Sequence, residues 1–134
     1  NVAVIDSSKC IGCAGCIAVC PQGAIRNTWG GSNFFEKLAE YAYGAAKDKD
    51  IIFITFVHNI TKDCDCNGTH MKLIADNVGI LAGKDPVSLD TACLDLVQKT
   101  EGNKLFDKGR NTLKHAEKIG LGEMNYELIK IKIP

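Results

Sequence analysis

The sequence predicts an α/β protein in two parts. A short cysteine-rich segment occupies residues 1–30, and a body of two or three layers with a mostly parallel sheet occupies residues 31–134. Three observations lead there. Cys10, Cys13, Cys16 and Cys20 crowd into KCIGCAGCIAVCPQGAI, and the stretch NTWGGS over 27–32 then breaks the composition. After that break, helix-period stretches alternate with short apolar runs, the arrangement of a crossover unit.

Composition narrows the possibilities further. Lysine plus arginine equal aspartate plus glutamate at 16 each, so no bulk charge draws the chain to nucleic acid or to an anionic membrane surface. The longest apolar run, Ile51 to Val57, falls far short of the roughly 20 residues that span a bilayer. Seven cysteines form an odd set with metal-ligand spacing, which argues against a disulfide framework and for a reducing cytoplasm. The chain opens at Asn1 with neither Met nor a basic and apolar leader, and so reads as an excerpt.

In chain order, Val2 to Ile5 alternates weakly and predicts a short strand that delivers the chain to Cys10. Ala14 to Cys20 predicts about two helical turns, stopped by Pro21, whose ring clashes with the preceding turn. Ala24 and Ile25 give a return strand. Ser32 is placed to cap the helix that begins near Phe34, in which Phe35, Leu38, Tyr41, Ala42 and Ala45 recur with helical period and predict the buried face. Lys47 to Asp50 ends that helix in water. IIFITFV is apolar on both faces and rich in branched and aromatic side chains, so a central, covered strand of a parallel sheet is expected.

NITKDCDCNGTH follows as a polar loop, Met71 to Asp76 as one or two helical turns, and Val78 to Ala82 as a second strand. Asp85 and Pro86 form a helix start, the carboxylate accepting free N–H groups and the proline sitting where its missing N–H is no loss. Leu89, Ala92, Cys93, Leu96 and Val97 line one face of that helix to about Thr100. Leu105, Phe106, Leu113, Ala116 and Ile119 predict another, with Gly109 a weak point inside it and Gly120 or Gly122 its end. Tyr126 to Ile133 alternates and predicts a terminal edge strand.

The cysteine spacing is Cys-x-x-Cys-x-x-Cys-x-x-x-Cys-Pro, the bacterial-type run that holds iron–sulfur cubanes through thiolates. The segment is therefore read as ferredoxin-like, with a [4Fe–4S] cluster as its cofactor. Thiolates are soft, anionic donors that suit iron, and Gly12 and Gly15 let backbone N–H groups approach cluster sulfurs. In two-cluster proteins the fourth cysteine of a run reaches to the other cube, so Cys10, Cys13 and Cys16 need one more ligand from elsewhere. An upstream run can supply it, with Cys20 completing that run's cube. Cys64 or Cys66 can supply it instead. In a third arrangement Cys64, Cys66 and His70, with Cys20 or His58, make a separate zinc or structural site.

Other side chains have plainer readings. Cys93 lies on an apolar helix face as a small hydrophobe, His115 sits in a charged helical stretch, and Trp29 and Tyr41 pack. Asp63 and Asp65 flank the loop cysteines. His58, Asn59, Asp63 and Asp76 are the candidates for an enzyme site at the carboxyl ends of strands, and whether a reaction is catalysed stays open. No nucleophile with an adjacent base and no phosphate-binding glycine loop is present, so any flavin or nicotinamide belongs to a partner.

The first 26 residues resemble one half of a bacterial two-cluster ferredoxin, from VID before Lys9 to CPQGAI after the helix. The remainder, FFEKLAEYAYGAA, IIFITFVHNIT, DCDCNGTH and IADNVGILAGKDPVSLDTACLDLV, resembles the C-terminal part of the family called domain of unknown function 362. That resemblance implies an iron–sulfur protein with two tandem cysteine runs. Cys10, Cys13 and Cys16 then ligate the second cluster, Cys20 crosses to the first, and Cys64 and Cys66 match a Cys-Asp-Cys element. The expected function is an electron-transfer module serving an upstream domain or a redox partner protein. The alternative is a zinc- or metal-binding structural or interaction protein without a redox role.

Overall fold

Ile51 to Val57, the most apolar run of the chain, does not become the middle of a parallel sheet. The computed structural model describes residues 4–6, 8–10, 15–25, 33–62, 70–101 and 105–131. Its elements in order are α1 (Gly15–Val19), α2 (Phe34–Ala46), β1 (Phe53–Val57), β2 (Gly79–Gly83), α3 (Pro86–Glu101) and α4 (Gly109–Lys118). Strands β1 and β2 pair antiparallel, with Phe53 opposite Gly83 and Val57 opposite Gly79. Among the described residues this two-stranded sheet is the sheet of the molecule. The chain divides into two units, Asn1–Phe34 and Phe35–Pro134.

The expected fold class is thus corrected on two counts. A parallel pair needs a crossover connection, commonly a helix, whereas the chain after β1 turns back beside itself. Thr61 bridges Leu73, the Ile74 N–H donates to the Ile60 carbonyl at 2.9 Å, and the Val78 N–H donates to the Val57 carbonyl at 2.9 Å. Met71 to Asp76, expected as helical turns, holds no helix: Leu73 forms the bridge of this return limb and Ala75 sits in a bend. Nor do the described residues form a ferredoxin-like segment, since neither Val4–Ile5 nor Ala24–Ile25 lies in a strand.

Why IIFITFV misleads is visible in its exposure. Phe53, Thr55 and Val57 face inward, where Val57 joins Ala75, Leu81, Leu89, Ala92, Cys93 and Val97 in one apolar cluster. Ile54 and Phe56 face outward and keep 59% and 60% of their surface, with Ile80 of β2 at 65%. The run is apolar on both faces, yet only one face is covered within this body.

α2 is rotated from expectation. Ala39, not the Leu38 and Tyr41 stripe, is the buried position, while Tyr41 is 81% exposed. Apolar residues occupy most of this helix, so helical period alone fits more than one face. The methyl of Ala39 occupies little space, and it packs in a second cluster with Val87, Leu113 and Ala116.

α3 starts as its sequence requires. The Asp85 carboxylate accepts from the Val87 N–H at 2.8 Å and the Ser88 N–H at 3.0 Å through Oδ1, with Pro86 at the first helical position. The helix then contributes to both clusters: Leu89, Ala92, Cys93 and Val97 pack toward the hairpin, and Val87 packs with α2 and α4. Two polar side chains are buried on it. Thr91 donates to the Val87 carbonyl at 2.7 Å, and Gln98 donates to the Leu105 carbonyl at 2.7 Å while accepting from Arg110 at 2.6 Å. Arg110 also pairs with Asp95, which ties α4 to α3.

α4 begins at Gly109, so that glycine stands at its first turn, after a bend in which Phe106 has φ 57°. Gly120, at φ 79°, ends it: the Gly120 N–H donates to the Glu117 carbonyl and the Leu121 N–H to the Ala116 carbonyl, each at 3.0 Å. This is the left-handed C-terminal motif that favours glycine, and Leu121 completes it by packing on the second cluster. Gly122 has a separate task. The Glu123 N–H donates to Asp85 Oδ2 at 2.8 Å, and a Cβ on Gly122 would collide with that same carboxylate. Beyond it the Tyr126 hydroxyl donates to Asp95 at 3.0 Å. Residues 126–131 form no strand, which corrects the expected edge strand as far as Ile131; Ile133 lies outside the described residues, as does Ser32.

In the first unit, Asp6 organises the approach to Cys10. Its Oδ1 accepts from the Ser8 N–H at 3.0 Å and the Ser8 hydroxyl at 2.6 Å, and its carbonyl accepts from the Cys10 N–H at 3.0 Å. Those two Ser8 bonds hold the Asp6 carboxyl below its ordinary range. None of the five residues of α1 is buried. Among the described residues no helix is long and apolar enough to cross a membrane.

The shared carboxylate and the one-sided hairpin each generate a test in urea unfolding. Asp85→Ala and Gly122→Ala should each cost about 1–2 kcal/mol, and the double variant little more than either alone, because both break one junction. Strictly additive losses would contradict that coupling. Leu81→Ala should cost about 2–4 kcal/mol, whereas Phe56→Lys on the outward face should stay within about 0.5 kcal/mol.

Candidate metal centre

Among the described residues the cysteine run shows the end of one turn at Cys10, one short helix and a turn after Cys20. Cys10 ends the Asp6 turn and is exposed, Cys16 is exposed on α1, and Cys20 follows α1 half-buried. Cys10, Cys16, Cys20 and Cys93 are all free thiols. Cys13 lies outside the described residues, as do Gly12, Asp63, Cys64, Asp65, Cys66 and Trp29. Among the described residues no group of three or more His, Cys, Asp or Glu side chains is arranged to hold a metal.

The most developed part of this region is the turn after Cys20. Pro21 stops α1, the Gly23 N–H donates to the Cys20 carbonyl at 3.1 Å, and Gly23 adopts φ 58°, which a side chain would strain. The nearby backbone N–H groups, those of Ala24 and Gln22 foremost, hold the Cys20 thiol below the ordinary range. Successive N–H groups converging on one atom form an anion-binding concavity. Sequence reasoning placed such donors at Gly12 and Gly15; the signal for this second set is the QG pair after Pro21.

The loop that carries Cys64 and Cys66 in sequence leaves Thr61 and returns at Leu73, where the two limbs bridge. His70, at its returning end, is exposed. His58 is exposed and stands edge-on to Phe56, ring centroids 6.1 Å apart. Asn59, at φ 53°, uses its N–H on the Asn77 side-chain oxygen at 2.8 Å. Asp76 lines an open concavity of about 550 Å³ built, among the described residues, from residues 72–77, and neither His58 nor Asn59 contributes to it. The three described enzyme candidates are therefore not gathered into one pocket.

A smaller cavity of about 280 Å³, which the sequence did not suggest, is lined by Tyr43, Lys47, Lys49, Phe53, Lys84 and Leu121 among others. Its cations have local duties. Lys49 donates to the Ala45 carbonyl at 2.6 Å at the end of α2, Lys84 pairs with Asp50 at 3.4 Å, and Lys47 lies 5.7 Å from the centre of the Tyr43 ring. Lysine at a helix C-terminus complements unpaired carbonyls, which explains Lys49 without a ligand.

Cys93 is a different kind of thiol. It is buried in the cluster between α3 and the hairpin, and burial first, then the nearby Asp90 carboxylate, pushes its thiol up. A buried, protonated thiol is an inert packing group.

These environments separate the cysteines chemically. The folded Cys20 pKa lies below the unfolded one, so its thiolate stabilisation is present above the unfolded pKa and is lost as pH falls through the folded value. In metal-free, reduced protein, the rate of Cys20 alkylation should have its pH midpoint below that of the same residue in the urea-unfolded chain. Gly23→Ala should move the midpoint back toward the unfolded value. Cys93 should be labelled only on unfolding, and peptide mass mapping of each site reads both results.

Comparison with known proteins agrees with the sequence at the level of family. No curated protein and no solved structure matches the chain. The family model described as Domain of unknown function (DUF362) matches residues 9–95, from the lysine before Cys10 to Asp95 within α3. That span is more than half of the chain, and the protein belongs to this family.

Proposed function

We propose that the chain is an iron–sulfur electron-transfer module that binds a [4Fe–4S] cluster and serves a larger redox protein. The observation that carries this reading is the run of Cys10, Cys13, Cys16 and Cys20 before Pro21. The donor set fits the group in kind, for the described cysteines of the run are unpaired thiols, and nearby backbone N–H groups lower the pKa of one of them, Cys20. Cys10, Cys13 and Cys16 would hold one cluster with a fourth ligand from an upstream run or from Cys64 or Cys66, and Cys20 would serve a neighbouring cluster. Free thiols suit a reducing cytoplasm.

A bound cluster supplies a site that takes up and releases one electron. The chain's own residues do the rest. Asp6 and Ser8 fix the turn that leads into Cys10, and the Gln22–Ile25 turn presents N–H dipoles to sulfur. Such dipoles favour the more negative, reduced state and so tune the potential. The electron partner is an upstream domain of the same protein or a separate redox protein.

Anaerobic reconstitution tests the proposal. Iron and sulfide should be incorporated together, with a visible absorption band that bleaches on adding dithionite. Cys10→Ser, Cys13→Ser and Cys16→Ser should each abolish the band. Comparing Cys20→Ser with Cys64→Ser and Cys66→Ser identifies the remaining ligand. Stoichiometric zinc in a colourless protein that takes up no iron would instead establish a structural metal site.

A further inference from the structure

We draw no further inference here: the strongest candidate, the outward apolar face of the β1–β2 hairpin formed by Ile52, Ile54, Phe56 and Ile80, carries nothing because nothing in the structure shows what covers it.

Discussion

The body depends on one helix, and that helix depends on one carboxylate. α3 is the shared wall of two apolar clusters, closing the hairpin with Leu89, Ala92, Cys93 and Val97, and meeting α2 and α4 through Val87. A helix buried on opposite sides has little freedom to rotate or slide, so its starting point must be fixed. Asp85 fixes it from two directions: one oxygen satisfies free N–H groups at the helix start, and the other holds the backbone after α4 through Glu123. The end of the chain is thereby joined to the middle, and neither the cap nor the return can move without disturbing the other.

Much of this was legible in the sequence where a single local rule decides. Asp85 followed by Pro86 specifies a helix start whatever surrounds it, and α3 runs from Pro86 with the expected apolar residues inward. Gly120 likewise marks the end of α4, since the left-handed turn there excludes most side chains. Strand directions were not legible. A run apolar on both faces implies cover on both only if the whole cover is present, and here β1 has cover on one side. The antiparallel partner is set by the return limb near Leu73, whose pairing with Thr61 leaves no trace in hydrophobic period. In α2, abundant small apolar residues left the buried face undetermined, and packing against α3 and α4 selected Ala39.

The candidate centre divides in a similar way. Spacing of the cysteines is the ground for the proposed chemistry, because thiolate donors at those intervals suit iron, and it needs no fold to be read. Spacing does not reveal how each sulfur is treated electrostatically. Cys20 meets four backbone N–H groups, and Cys93 meets apolar neighbours and Asp90, so two identical side chains sit on opposite sides of their ordinary titration range. The enzyme candidates illustrate the converse. His58 and Asn59 follow β1 directly and Asp76 precedes β2, yet His58 leans on Phe56 and the Asn59 backbone is occupied by Asn77.

The bridge between Thr61 and Leu73 gives the intervening segment a particular evolutionary latitude. Its ends are clamped by the hairpin, and the entropic cost of closing a loop grows only slowly with its length. Residues can be gained, lost or exchanged there with small effect on the clusters that stabilise the body. The closure between Thr61 and Leu73 thus leaves the scaffold beneath it indifferent to the composition of what it closes.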